Sequence, residues 1–505
     1  MREFALDITE PCHKGLRTYK APTNNPAGLH TCYALVPRDA GLSPYTRLTD
    51  SLADSLVDVS WPFPQLFVGR SETLLLTETV IYTFVPATGL ATAITTYDAL
   101  APSSTKAITG SGVWHFVDYG KAWYLYNGTS VVFRDNRNGM QGGTNNVLVY
   151  NNTQIGTACD LKGRMVFGGF GSTFWNTGWN EIIARCAEEY PTPIEPGSDI
   201  PDNMILWSSV GGGDVSWLMM PELALGGNPA YTGLYTGLDS LLQAFERNEF
   251  GFMALPFTGS VTTLKQLGNT AIAYGTNSLY ALYNADAPVN TLGLRTVSEG
   301  LGIKGRGCVA GDLYKHVFIG QDDNLYSIDA ELKLQKLGYK EYMSALTGTI
   351  QMSYNMQEKE FYISGSNRCF VLGIKGLGEA TELVTSQYVS GGVESGVTSP
   401  LTATAFTLIT DVYDMGFRGL KHVPYFLADV SGATSLRGAL YRQYDKSVAL
   451  SAGSYINANK EGVVHVNTTT QDFMVAITGT STSSFRLNDI NVRYSGVDNR
   501  ARRGL

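Results

Sequence analysis

The chain has 505 residues, 44% of them hydrophobic and only 16% charged, with 55 Gly, 28 Tyr and a formal net charge of -8. The hydrophobic share excludes a disordered chain, which needs low hydrophobicity and high net charge. The acidic balance excludes a general nucleic-acid-binding surface, whose phosphate contacts need clustered Lys and Arg, but not a conduit through which DNA slides without sticking.

The start, MREFALDITEPCHKG, lacks an apolar stretch of signal-peptide length. No segment approaches the ~18 continuous apolar residues of a membrane span. A protein made and folded in a cytoplasm is the expectation, and residues 1–59 read as an N-terminal arm.

From residue 60 to 385 strand patterns dominate, at 65–87, 112–135, 161–172, 261–284, 308–330 and 350–374. Each is a pair or triplet of short β-branched and aromatic runs broken by Gly, Asn or Asp. The grammar repeats: apolar run, polar turn, second apolar run, a turn such as GTNS, QDDN or GSNR, then a strand rich in Tyr, Leu and Ile. A spacing of roughly 40 to 50 residues is that of β-propeller blades, which stack radially because one blade cannot bury both its faces alone. The expectation is all-β: a β-propeller of about six or seven blades over 60–385, followed by a C-terminal β-sandwich.

Two stretches depart from the pattern. Residues 186–203 are rich in Pro and acid and read as an exposed loop between blades. In 238–247, Leu238, Leu241, Leu242 and Phe245 fall at helical spacing, predicting a short amphipathic helix that packs on the propeller flank or docks on another chain. The Gly/Ser-rich segment 386–400 reads as a linker. Residues 401–505 carry about seven short strands with turns such as SGAT and NKEG, which fits a sandwich of roughly 100 residues. They end in a basic tail around Arg500, Arg502 and Arg503, either a solvated end or a contact with an acidic neighbour.

The search for chemistry is mostly negative. No GxSxG occurs, and His13, His30, His115, His316, His422 and His465 fall in no HExxH or HxH spacing. They read as structural or surface histidines; Cys12–His13 with His30 and Cys32 is the one place where metal ligands gather. The six cysteines (Cys12, Cys32, Cys159, Cys186, Cys308 and Cys369) form no CxxC pair and read as reduced thiols, mostly buried. Asp322, Asp323 and Asn324 lack the later Gly and Glu of a calcium loop and read as a hairpin turn. Gly211–Gly213 with Asp214 read as a turn, not a phosphate loop. Glu188 and Glu189 are adjacent, which is no evidence for catalytic carboxylates facing each other. Trp175 and Trp179 form either a sugar-stacking platform or a core or interface contact. The expectation is a non-enzymatic chain with no catalytic, cofactor-binding or metal residue.

Four stretches together resemble the β-propeller hub, nozzle or DNA-stabilisation proteins of short-tailed bacteriophages. They are NPAGLHTCYALVPRDAGLSPYTRLT at 25–49, FERNEFGFMALPFTGSVTTLKQLGNTAIAYGTNSLYALY at 245–283, GIKGRGCVAGDLYKHVFIGQDDNLYSIDAELKLQKLGYKEY at 302–342, and the run from DVYDMGFRGLKHV at 411 to YSGVDNRARRG at 494. All are fold-level patterns. The resemblance implies a virion protein, assembled in the host cytoplasm as a homo-oligomeric ring, commonly a hexamer, below the portal. It implies adaptor or connector proteins, and tail fibres, tailspikes or a needle, as partners, with double-stranded DNA passing through. It transfers no active site. The alternatives are a glycan- or receptor-binding propeller and a propeller glycoside hydrolase, the latter requiring acidic residues converging on the propeller axis.

Overall fold

The computed structural model describes residues 3–19, 28–39, 41–44, 46–48, 65–69, 72–85, 90–98, 104–110, 113–118, 122–135, 147–151, 155–170, 202–208, 251–285, 292–356, 358–380, 389–390, 398–400, 404–415, 419–443 and 449–497. The expected helix at 238–247, Trp175, Trp179, Glu188, Glu189, Cys186, the turn at 211–214 and the basic tail lie outside the described residues.

Six antiparallel blades follow one another along the chain. Blade 1 is Gln65–Val68, Thr73–Leu76, Ile81–Val85 and Leu90–Ala93. Blade 2 is His115–Asp118, Ala122–Tyr126, Ser130–Asp135 and Val147–Asn151, with Thr96–Asp98 added in parallel to its outer edge. Blade 3 is Thr157–Leu161, Arg164–Gly168, Met204–Trp207 and Gly251–Ala254. Blade 4 is Val261–Leu267, Thr270–Gly275, Ser278–Asn284 and Leu292–Glu299. Blade 5 is Val309–Gly311, Lys315–Ile319, Leu325–Asp329 and Leu334–Gly338. Blade 6 is Gln351–Asn355, Glu360–Ser364, Cys369–Leu372 and Leu377–Glu379. The blade count, open between six and seven in the sequence, is six among the described residues.

Middle strands such as Ser278–Asn284 are apolar runs, buried on both faces because neighbouring blades cover each side. Outer strands such as Leu334–Gly338 are largely exposed and carry the polar residues. Turn chemistry closes the short hairpins among the described residues. Lys162 and Gly163 sit at positive φ of 52 and 82, the geometry of a tight hairpin turn, and the Asp160 carboxylate accepts the Gly163 N–H at 2.8 Å. Asp322–Asn324 is the expected turn: Asp323 has φ 63, and the Asp322 carboxylate accepts from the Asn324 side chain at 2.6 Å and the Tyr326 hydroxyl at 2.8 Å.

The first strand of each blade lines the axis. The ring closes where Val389–Ser390 pairs in parallel with Gln65 and Leu66 of blade 1. The 386–400 segment is therefore not a plain linker: it closes the propeller, and its Thr398–Pro400 pairs with Thr46–Leu48.

Nor are residues 1–59 peripheral where they are described. Leu29–Tyr33 inserts between the last strand of blade 6 and Thr404–Thr410 of the sandwich, making one continuous sheet. Arg17 staples the same junction. Its guanidinium donates to Asp411 of the sandwich at 2.8 Å, and to Glu341 between blades 5 and 6 at 2.8 Å and 3.0 Å.

The sandwich differs from the seven short strands expected. Two long strands, Lys421–Gln443 and Asp472–Gly496, pair along most of their length and pass from one layer to the other. Register shifts around 429–437, with Gly432 at φ 66 and Ser435 at φ 58, let the ladder bend there. One layer carries Val463–Thr470 and Glu3–Asp7 at its edges. The other carries Thr404–Thr410 and, as short edge strands, Ser451–Ala452 and Ile456–Asn457. Phe426 and Val464 of the first layer reach Gly438 of the second, where a Cβ would lie 2.3 Å from the Phe426 ring. One hydrophobic core runs from Ile8 and Leu29 through blades 4 to 6 into Phe426, Phe473 and Val492.

Candidate functional site

The first strands of the blades enclose an axial chamber of about 470 Å³. Cross-links between blades set its levels. Trp114 N–H donates to the Gln65 side chain at 2.7 Å, and the Leu264 N–H donates to the Thr157 hydroxyl at 2.8 Å. The Thr263 hydroxyl donates to the Arg306 carbonyl at 2.9 Å, and the Met352 N–H to the Gly307 carbonyl at 2.9 Å. His115, Thr157, Thr263, Arg306 and Gln351 therefore share one level. Further along the same strands come Asp118, Asp160, Asp312 and Tyr354. Three strand residues separate His115 from Asp118, a rise of roughly 10 Å.

The first level is polar and underbonded. Gln351 is 1% exposed, and neither its Nε2 nor its Oε1 has a hydrogen-bond partner. His115 Nε2 is buried without a partner, while Nδ1 lies 3.5 Å from the Thr157 hydroxyl. That hydroxyl accepts from Leu264 and keeps its own proton and a second lone pair, so it can serve Nδ1 as donor or as acceptor, and either neutral tautomer of His115 fits the contact. Arg306 is half-buried, its guanidinium lying so close to Gly128 and Gly156 that a Cβ on either would come within 2.7 Å and 2.6 Å of it. Burial lowers its pKa. Lys265, two residues beyond Thr263 and on the same strand face, is half-buried and likewise lowered by burial, against the opposing pull of Asp312 and Cys159. Burial, reinforced by Arg306 and Lys265, holds His115 well below the ordinary imidazole range.

The second level is acidic, but two of its carboxylates serve turns. Asp160 caps Gly163, and Asp312 accepts the N–H groups of Tyr314 at 2.8 Å and Lys315 at 3.0 Å. Leu313 and Met356 line this mouth, with Tyr314 beside them 75% exposed.

The other histidine near the axis is structural. His316 is fully buried, its Nε2 donating to the Gln266 carbonyl at 2.9 Å and its Nδ1 accepting from the Tyr274 hydroxyl at 2.9 Å. Cys12 and Cys32 lie in the core, their thiols pushed far up by burial. Among the described residues no group of three or more His, Cys, Asp or Glu is arranged to hold a metal ion, and the five described cysteines are unpaired and buried.

Sequence reading singled out none of Lys265, Arg306 and Gln351, and took His115 as structural. The available signals were the basic residues in GIKGRG at 302–307 and the polar break KQ inside the strand Val261–Leu267.

The chain matches no family model, and no curated relative matches it. Among solved structures it is similar to an exo-β-1,3-galactanase from Phanerochaete chrysosporium, at 10% identity and TM-score 0.30, over 79% of this chain and 98% of that one. It is also similar to AztD from Citrobacter koseri, at 10% identity and TM-score 0.32, over 80% and 96%. A third is Hsv2 from Kluyveromyces lactis, at 7% identity and TM-score 0.30, over 63% and 98%. The propeller described above rests on this chain's own sheets, and nothing about the site is taken from those proteins.

Proposed function

We propose that this chain is a structural subunit of a short-tailed bacteriophage tail, a hub or nozzle ring protein. In this role it continues the DNA channel below the portal and adaptor, retains packaged DNA and permits its ejection. The observation that carries the reading is the sheet shared by propeller and sandwich. A ring subunit held between neighbours transmits force from one part to the other, and a hinge would yield where a continuous hydrogen-bonded ladder does not. Leu29–Tyr33 removes that hinge, from a segment that carries part of the resemblance to such tail proteins. The exposed Leu313, Tyr314 and Met356 at one propeller mouth offer apolar surface for a neighbouring subunit.

Mass photometry of the purified full chain, with imaging of the particles, tests this. The expected result is a closed ring that Tyr314→Asp weakens or abolishes. Monomers persisting at micromolar concentration, with no ring in the presence of an adaptor, would overturn it.

One observation favours a second reading, a glycan-binding or glycan-cleaving propeller: Asp118, Asp160 and Asp312 come from three blades and line one chamber. Under that reading the purified chain binds or cleaves an oligosaccharide, and Asp118→Asn with Asp160→Asn removes the effect.

A further inference from the structure

The first level of the axial chamber gathers Arg306, His115 and one amide with both ends unanswered, and Lys265 stands two residues further along its strand. Among the described residues Arg306 and Lys265 make no side-chain hydrogen bond or ion pair, and His115 Nε2 is buried without a partner. Gln351, from a fourth blade, adds two N–H donors and one acceptor, none of them used. Buried polar groups in folded proteins are nearly always bonded, and a cation withdrawn from water without an acceptor is strongly disfavoured. The acids that line the chamber, Asp118, Asp160 and Asp312, stand further along the strands, where Asp160 and Asp312 are held by turn N–H groups and Asp312 also attracts Lys265. The unmet demand at the first level is therefore for acceptor oxygens bearing negative charge.

We propose that this end of the chamber is a phosphate site, in which Arg306, Lys265 and His115 donate to the oxyanion and Gln351 brackets it. Gln351 selects among anions. Its Oε1 accepts only from a donor, and hydrogen phosphate carries a P–OH where sulfate and acetate at neutral pH carry none. The amide Nε2 donates to a second phosphate oxygen, so one ligand satisfies both ends of the side chain. Gly128 and Gly156 leave the space in which the Arg306 guanidinium lies.

Isothermal titration calorimetry of the full chain tests this, with inorganic phosphate, glycerol phosphate, sulfate and acetate as probes at constant ionic strength. Saturable binding of inorganic phosphate is expected, with sulfate and acetate at least about tenfold weaker. Glycerol phosphate, mostly a dianion without a P–OH at neutral pH, is expected to bind more weakly than inorganic phosphate, and equal or tighter binding would overturn the selecting role of Gln351. Arg306→Gln and Gln351→Leu are each expected to weaken phosphate by about tenfold or more, because charge-assisted bonds and buried amides dominate such sites. Lys265→Met serves as a second charge variant should Arg306→Gln fail to fold, and circular dichroism melts identify folded variants. No saturable heat with either phosphate, sulfate binding as tightly as phosphate, or folded variants that bind as the parent does would each overturn the site. Ring formation is read separately by mass photometry, so the tail reading and the phosphate site stand or fall independently.

Discussion

His316 shows how a single side chain ties this fold to pH. Both ring nitrogens are used, one on the Gln266 carbonyl and one on the Tyr274 hydroxyl, so a second proton has no place. Burial, with Lys265 adding to it, lowers its pKa from 6.5 to about 3. The stabilising contribution is complete above the unfolded value and is lost as pH falls from 6.5 toward 3, because only the unfolded chain takes up the proton in that window. The loss is about 1.4 kcal/mol per pH unit. Urea denaturation at pH 6.5 and 5 should therefore show the parent losing about 2 kcal/mol from this group. His316→Gln keeps both hydrogen bonds and should show a shallower slope, and an unchanged slope would contradict the assignment. Arg17 is the second decisive residue. Replacing it with Leu leaves Asp411, 5% exposed, as a buried uncompensated charge. The expected loss is about 3 to 5 kcal/mol. Glu341, whose side chain is 53% exposed, adds little. Denaturant titration of Arg17→Leu against Arg17→Leu/Asp411→Leu checks this, since the double variant should recover part of the loss.

Among the elements, the junction strand Leu29–Tyr33 governs most. The chain near it, at Lys14 and Leu35, lies close against blade 6 because the last hairpin there is cut back to glycine. A Cβ at Gly376 would lie 1.9 Å from the Lys14 carbonyl oxygen, and one at Gly378 would lie 1.9 Å from that of Leu35. Backbone cannot yield as a flexible side chain does, so Gly378→Ala should cost roughly 1 to 3 kcal/mol by overpacking. The same change should raise protease cleavage of the native chain above that of a Gly305→Ala control, since a Cβ at Gly305 meets only Cys308 Sγ, at 3.6 Å. Equal cleavage would show that the close approach does not hold the junction. The blades themselves were legible: the six strand-rich segments picked out by turn chemistry each fall in a different blade. The long sandwich strands were not, because the Gly and Ser residues that look like turns at 431–435 instead bend a continuous ladder.

For the molecule as a whole, the core that joins Ile8, Leu29, Phe318, Phe370, Phe426 and Val492 gives blades 4 to 6 and the sandwich one shared interior, while blades 1 and 2 and blades 3 and 4 hold clusters of their own. Differential scanning calorimetry of the isolated chain should show blades 4 to 6 and the sandwich unfolding in one cooperative transition. A sandwich that melts apart from the propeller would show that the shared sheet is not the dominant contact. The candidate site also exists only at this scale. His115, Lys265, Arg306 and Gln351 come from blades 2 and 4, the approach to blade 5, and blade 6, and nothing local in the sequence relates them.

Sequence alone was enough for the all-β class, the repeating hairpins and the turns that end them. These depend on residues within a few positions of one another, where alternation and Gly or Asn chemistry act directly. Tertiary structure decided the number of blades, the closure of the ring by Val389–Ser390, the capture of Leu29–Tyr33 between two other elements and the convergence of the axial side chains. Each of these pairs segments far apart along the chain. Such contacts form only when the whole set of blades has excluded water from a common core, and no local pattern encodes which partner a strand edge will meet.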